Sequence, residues 1–182
     1  ASLRQLRDPE LRGVFYQLVP SDEWQIQVHA LLGLAELDTE NGLDPWLITQ
    51  LQPEARQAVI ANALDSELLT TEQIQEILKW DDLEQIPKLL LYGTLTQQGE
   101  SIPIEKLIDL SDAPNLRVSG FASSLLSQRG DSGALDNFSE RLSTRSKKEK
   151  SNQLVYVFDF IRQHELTKAV PWVYRQLEDP NL

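Results

Sequence analysis

Few side chains in this 182-residue chain could do chemistry, and their surroundings narrow the field quickly. There is no cysteine, which excludes disulfides, thiolate metal ligands and cysteine nucleophiles. The two histidines are His29 and His164. His29 falls one residue before an inward-patterned Ala30, so it reads as a surface histidine rather than a general base. His164 falls in a turn with no acid-nucleophile pattern nearby and reads the same way. Ser123, Ser124 and Ser127 are polar positions of a helical stretch, without the Gly-x-Ser-x-Gly elbow that activates a serine. Asp81, Asp82 and Glu84 lack the alternating acids and central glycine of a calcium loop, and read as a helix cap. No phosphate loop, dinucleotide fingerprint or zinc spacing occurs. No catalytic residue, metal ligand or cofactor is therefore expected, and the chain reads as non-enzymatic.

Charge is the other chemistry available. The net charge is −11, unevenly placed. Residues 21–84 hold fourteen acids against Arg56 and Lys79, a balance of −12, whereas residues 85–182 hold twelve of each sign. In the neutral half sits a basic knot of Arg141, Arg145, Lys147, Lys148 and Lys150, relieved by Glu149. An acidic first half repels phosphate backbones, which argues against a nucleic-acid partner. Opposite patches can instead steer another protein or leave self-association open. Changing Lys147, Lys148 and Lys150 together to Glu is expected to weaken such contacts while leaving the fold intact.

The elements that must carry these residues are helical. No run alternates apolar and polar residues for long, so little or no sheet is expected. The stretch from Ser21 to Leu37 places Ile26, Ala30, Leu34 and Leu37 on one face, with Asp22 and Glu23 in its first turn. Asp44-Pro45 supplies an N-cap acceptor followed by proline at the first helical position. Capping boxes are read at Thr70 with Gln73, at Asp81 with Glu84 and at Ser146 with Glu149. Asn41-Gly42, Gly99 and Gly130-Asp131 mark loops. About ten short helices result. No window is long and apolar enough to span a membrane, so no membrane insertion by this segment is expected. Cysteine-free chains fold equally in reducing and oxidising surroundings. The chain is read as soluble, with the cytoplasm favoured and the periplasm as the alternative. Methionine is absent even at position 1, which suggests an excised part of a longer protein.

Recurrence ties the helices together. Pro45-Trp46-Leu47-Ile48-Thr49-Gln50-Leu51 returns as Pro171-Trp172-Val173-Tyr174-Arg175-Gln176-Leu177, an offset of 126 that also pairs Val28 with Leu154 and Leu34 with Phe160. A quarter of that offset is 31.5 residues, close to the spacing of helix centres at Ala30, Ala61, Leu91, Ala122 and Val157. Asp179-Pro180-Asn181-Leu182 echoes Asp8-Pro9-Glu10-Leu11 and reads as the start of another repeat. Such a period with paired helices marks an α-solenoid. Each pair is too short to bury its own apolar face and must stack on neighbours. Ala30, Ala61 and Ala122 allow close helix approach, and Leu34, Leu64, Leu95 and Leu126 fill between layers.

The stretch Asn115-Leu116-Arg117-Val118, Ala122, Leu125-Leu126, Gly130-Asp131, Ala134-Leu135, Phe138 and Leu142 resembles the HEAT repeat, in the short bacterial form also called PBS-lyase HEAT-like. Elsewhere the Gly-Asp turn is missing at Ser66-Glu67 and becomes His164-Glu165. The resemblance implies an all-α, right-handed α-solenoid of about five helix pairs over residues 1–182, a single helical-repeat domain. A tetratricopeptide-like repeat is the alternative. It also implies a protein-binding scaffold or adaptor. Alternatives are an accessory domain of a HEAT-like lyase or isomerase, or a repeat domain of a bacterial envelope or polysaccharide-export assembly. Second helices of such repeats usually line the binding face. The candidate partner surface is therefore Glu72, Gln75, Glu76 and Lys79, outside Ile74, Ile77 and Leu78; then Glu105, Lys106 and Asp109; and the knot Arg141, Arg145, Lys147, Lys148 and Lys150.

Overall fold

A computed structural model describes residues 8–38 and 43–179. The Asn41-Gly42 turn and the echo at Pro180–Leu182 lie outside the described residues. The described residues are all-helical, 73% in helix, with no strand among them. In order run α1 (Arg12–Leu18), α2 (Trp24–Leu37), α3 (Pro45–Thr49), α4 (Pro53–Asp65), α5 (Thr71–Ile77) and α6 (Gln85–Gln97). They are followed by α7 (Ile104–Ser111), α8 (Leu116–Arg129), α9 (Ala134–Ser143), α10 (Lys147–Gln163) and α11 (Val170–Leu177). Contacts group the chain into two compact units that divide between Leu91 and Tyr92, inside α6.

Long and short helices alternate from α2 onward. The long ones begin at Trp24, Pro53, Gln85, Leu116 and Lys147, steps of 29, 32, 31 and 31 residues. Local chemistry sets the starts. Asp44 accepts from the Trp46 amide at 2.9 Å, with Pro45 opening α3. Thr70 with Gln73 and Ser146 with Glu149 form complete capping boxes on α5 and α10. Two expected starts move. The helix read from Ser21 begins at Trp24, because the Ser21 hydroxyl takes the Glu23 amide at 3.2 Å and holds Glu23 extended. Asp81 and Glu84 form no box; α6 begins at Gln85, and Asp82 turns instead to Arg56 at 2.5 Å.

The ends of the long helices share one geometry. After α4, α6, α8 and α10 a residue takes positive φ: Glu67 at 55°, Gly99 at 82°, Gly130 at 112° and Glu165 at 51°. The next amide reaches back five residues each time. Leu68 bonds Ala63 O at 2.8 Å, Glu100 bonds Leu95 O at 2.8 Å, Asp131 bonds Leu126 O at 3.0 Å and Leu166 bonds Ile161 O at 3.0 Å. This is the six-to-one closure that satisfies carbonyls left open at a helix end. Where glycine is missing, the turn persists one residue beyond the expected Ser66 and His164 positions, on glutamates that bear the left-handed cost of about 1–2 kcal/mol.

In the first unit α2 packs against α1 and α4, and α3 against α4 and α5. Gln27, Val28 and Ala30–Ala35 are buried, with the Phe15 ring lying on Gly33. His29 points out, as its neighbours predicted. On α4 the core falls on Ala55, Val59, Ile60 and Ala63. The expected Ala61 and Leu64 are only half-buried. On the same helix the Arg56 guanidinium reaches the last carbonyl of α3, Thr49 O, at 3.3 Å and Asp82 at 2.5 Å.

In the second unit α8 is the central helix, packed by α7, α9 and α10. Val118–Ser127 is buried throughout, so Ser119, Ser123, Ser124 and Ser127 are interior residues. The missing side chain of Gly120 lets neighbours close in: Phe138 and Val157 sit directly over it, and Phe121 stacks on Phe160 at 4.1 Å. The Ser124 hydroxyl is satisfied by Gly120 O at 2.8 Å. His164 departs from its expected exposure. It is 6% exposed, its ring 4.6 Å from Phe160 and packed on Gly93. Only a glycine on α6 leaves room for that ring.

The recurrence of Pro-Trp at 126 residues does not carry a common burial pattern. Trp46 of α3 is 64% exposed while Ile48 is buried; on α11 Trp172 is buried and Tyr174 is 63% exposed. The same letters meet the core two positions apart, which turns the helix by more than half a revolution.

Candidate functional site

Each short helix buries at least one large apolar side chain near its middle, and the residues two before and two after that position point the opposite way. In the first unit, Ile48 on α3 leaves Trp46 and Gln50 outside, and Ile74 on α5 leaves Glu72 and Glu76 outside. In the second unit, Leu107 on α7 leaves Glu105 and Asp109 outside, and Phe138 on α9 leaves Asp136 and Glu140 outside. On α11, Trp172 leaves Val170 and Tyr174 outside, 38% and 63% exposed. The outward row of the second unit therefore runs from two acidic pairs to an apolar pair.

The sequence-derived surface divides along this line. Glu72, Gln75, Glu76 and Lys79 are exposed, with Lys79 and Glu76 paired at 3.3 Å. The Glu72 carboxyl is held below the usual range by its own backbone amide and by the Thr70 hydroxyl, since both favour the ionised form. Glu105, Lys106 and Asp109 are exposed as well. The basic knot does not act as a unit. Arg141 turns inward, giving hydrogen bonds to Ser111 O and Ser119 Oγ at 2.6 Å and to Ala113 O at 2.5 Å. A guanidinium thus serves the carbonyls at the end of α7, as Arg56 does at the end of α3. Lys150 pairs with Asp179 at 2.5 Å, its side chain only 13% exposed. Arg145, Lys147 and Lys148 are left exposed. The Ser146 hydrogen bonds, aided by Arg145, keep the Glu149 carboxyl low and ionised at the same helix start.

The short helices of the second unit form one continuous surface. Ile108 and Ser111 of α7, with Asp112 just after it, face Asn137, Phe138 and Arg141 of α9 across a groove of about 150 Å³. Trp172 Nε1 donates to Ser139 Oγ at 2.8 Å, the Trp172 and Phe138 rings are 6.1 Å apart, and Arg175 pairs with Asp136 at 2.9 Å. These contacts fix α11 beside α9. Sequence reasoning missed Ile104 and Ile108, both about half exposed on α7, and the pair Val170 and Tyr174.

Among the described residues no three His, Asp or Glu side chains gather to hold a metal, and no helix is long and apolar enough to cross a membrane. His164, enclosed by Gly93 and Phe160, meets no nucleophile there. The chain matches no family model, no curated protein and no solved structure.

Proposed function

We propose that this chain is a non-enzymatic, protein-binding module built as a right-handed α-solenoid of HEAT-like helix pairs, α2/α3 through α10/α11. The observation that carries the reading is the fourfold recurrence of one hairpin closure, at Glu67, Gly99, Gly130 and Glu165, on long helices that begin at near-constant steps. An array of this kind gains its core by stacking and leaves one outward row of each short helix uncommitted. Large apolar side chains exposed on that row, Trp46 and Tyr174 foremost, support binding rather than simple solvation. Such a module acts as a scaffold or adaptor for another protein.

The test uses the whole chain as bait, with crosslinking and mass spectrometry to locate contacts. A partner protein crosslinked to α5, α7, α9 or α11 is the expected result. Turnover of a small-molecule substrate without any protein partner would overturn the reading.

A further inference from the structure

We infer that the outward face of α7, α9 and α11 docks a basic segment of a partner protein, one that carries lysine or arginine beside an aliphatic or aromatic anchor. This rests on the protein-binding reading above and names its surface and the chemistry of its occupant. The face is defined by a common register. Leu107, Phe138 and Trp172 are buried near the middle of their helices, and all three helices present exposed positions two before and two after them. Glu105 with Asp109 and Asp136 with Glu140 are four residues apart, adjacent turns of one helix face. Val170 and Tyr174 occupy the same positions on α11, where carboxylates give way to apolar surface. Ile104 and Ile108, 46% and 49% exposed, add a second apolar strip on the flank of α7 that meets the groove to α9.

Charge selects the occupant. Asp136 accepts from the exposed Arg175 guanidinium and Lys106 is exposed beside Glu105, so the excess negative charge of the face rests on the exposed Glu105, Asp109 and Glu140. A row of carboxylates bounded by isoleucines at one end and tyrosine and valine at the other repels acidic segments. It rewards cations that bring apolar side chains with them. The apolar contacts carry most of the affinity, because exposed charge pairs are worth little, and the carboxylates set orientation and rate.

Two probe peptides test this with the full chain: a helical peptide alternating lysine pairs with leucine pairs, and one of equal length and charge with serine replacing leucine. Three chains are compared with the parent by fluorescence anisotropy at low and high salt. One carries Glu105→Lys, Asp109→Lys and Glu140→Lys; another carries Val170→Ser and Tyr174→Ser. A control carries the same charge change at residues that belong to none of these three helices, Asp22→Lys, Asp81→Lys and Glu100→Lys. All changed residues are exposed, and circular dichroism checks that each chain stays folded. The face-charge variant should lose affinity for the lysine-leucine peptide by about tenfold or more, against less than about twofold for the control. The serine variant should lose affinity for the lysine-leucine peptide alone. Equal losses in face and control variants would mean unspecific attraction to an acidic chain and would overturn the proposal. So would sedimentation showing that the face variants dissociate a homo-oligomer, since the occupant is then a second copy. If a crosslinked partner survives all the face changes, the binding module stands and this surface falls.

Discussion

Acidification should destabilise the second unit through one residue, His164. Its ring is 6% exposed and enclosed by Phe160 of its own helix and Gly93 of α6, and neither ring nitrogen finds a protein partner. Desolvation disfavours the charged imidazolium and lowers the pKa from 6.5 to about 4. The unfolded chain takes up its proton below pH 6.5 and the folded chain only below about 4. Between those values the unfolded state holds more protons, so stability falls as pH falls, and nothing is lost above the upper limit. At 1.36 kcal/mol per pKa unit the loss by pH 4 is about 3 kcal/mol. Urea unfolding of the parent and of His164→Leu, followed from about pH 7 to pH 4, isolates the effect, because carboxylates titrate alike in both. The leucine variant should gain about 3 kcal/mol on the parent over that range. Parallel stability curves, or a His164 imidazole resonance that titrates near 6.5, would refute the argument.

Further outcomes are open to measurement. Glu67→Gly and Glu165→Gly should each stabilise by about 0.5–1 kcal/mol in chemical denaturation, since relief of the left-handed strain exceeds the extra chain entropy of glycine; Gly130→Glu should cost about as much. Ala122→Phe, at a fully enclosed position on α8, should cost about 1–3 kcal/mol by overpacking, and an unchanged melting temperature would mean that the helix register is wrong. Lys147→Glu with Lys148→Glu should leave stability within about 0.5 kcal/mol, because both are exposed in the first turn of α10, where acids suit the dipole. Adding Lys150→Glu should lower the melting temperature clearly, because it sets a carboxylate against Asp179 at a site where Lys150 is nearly enclosed.

What the sequence determined by itself is local. Helix class, the Asp44, Thr70 and Ser146 starts, the Gly99 and Gly130 stops and the inward Ile74 and Ile77 are decided within a few residues, by backbone chemistry and a 3.6-residue period. The acidic outward positions of α5 and α7 were legible for the same reason. Tertiary structure decided what depends on residues far away in the chain. Whether Pro-Trp buries its tryptophan turns on a neighbour: Trp172 has Ser139 and Phe138 of α9 to meet, while Trp46 stands outside Ile48. His164 went inside because a glycine some seventy residues earlier in the chain left a space its own turn could not announce. Arg141 and Lys150 left the basic knot because carbonyls at the end of α7 and a carboxylate after α11 came within reach. A charged side chain in sequence is only a charge; packing decides whether it meets solvent, a partner or the end of another helix.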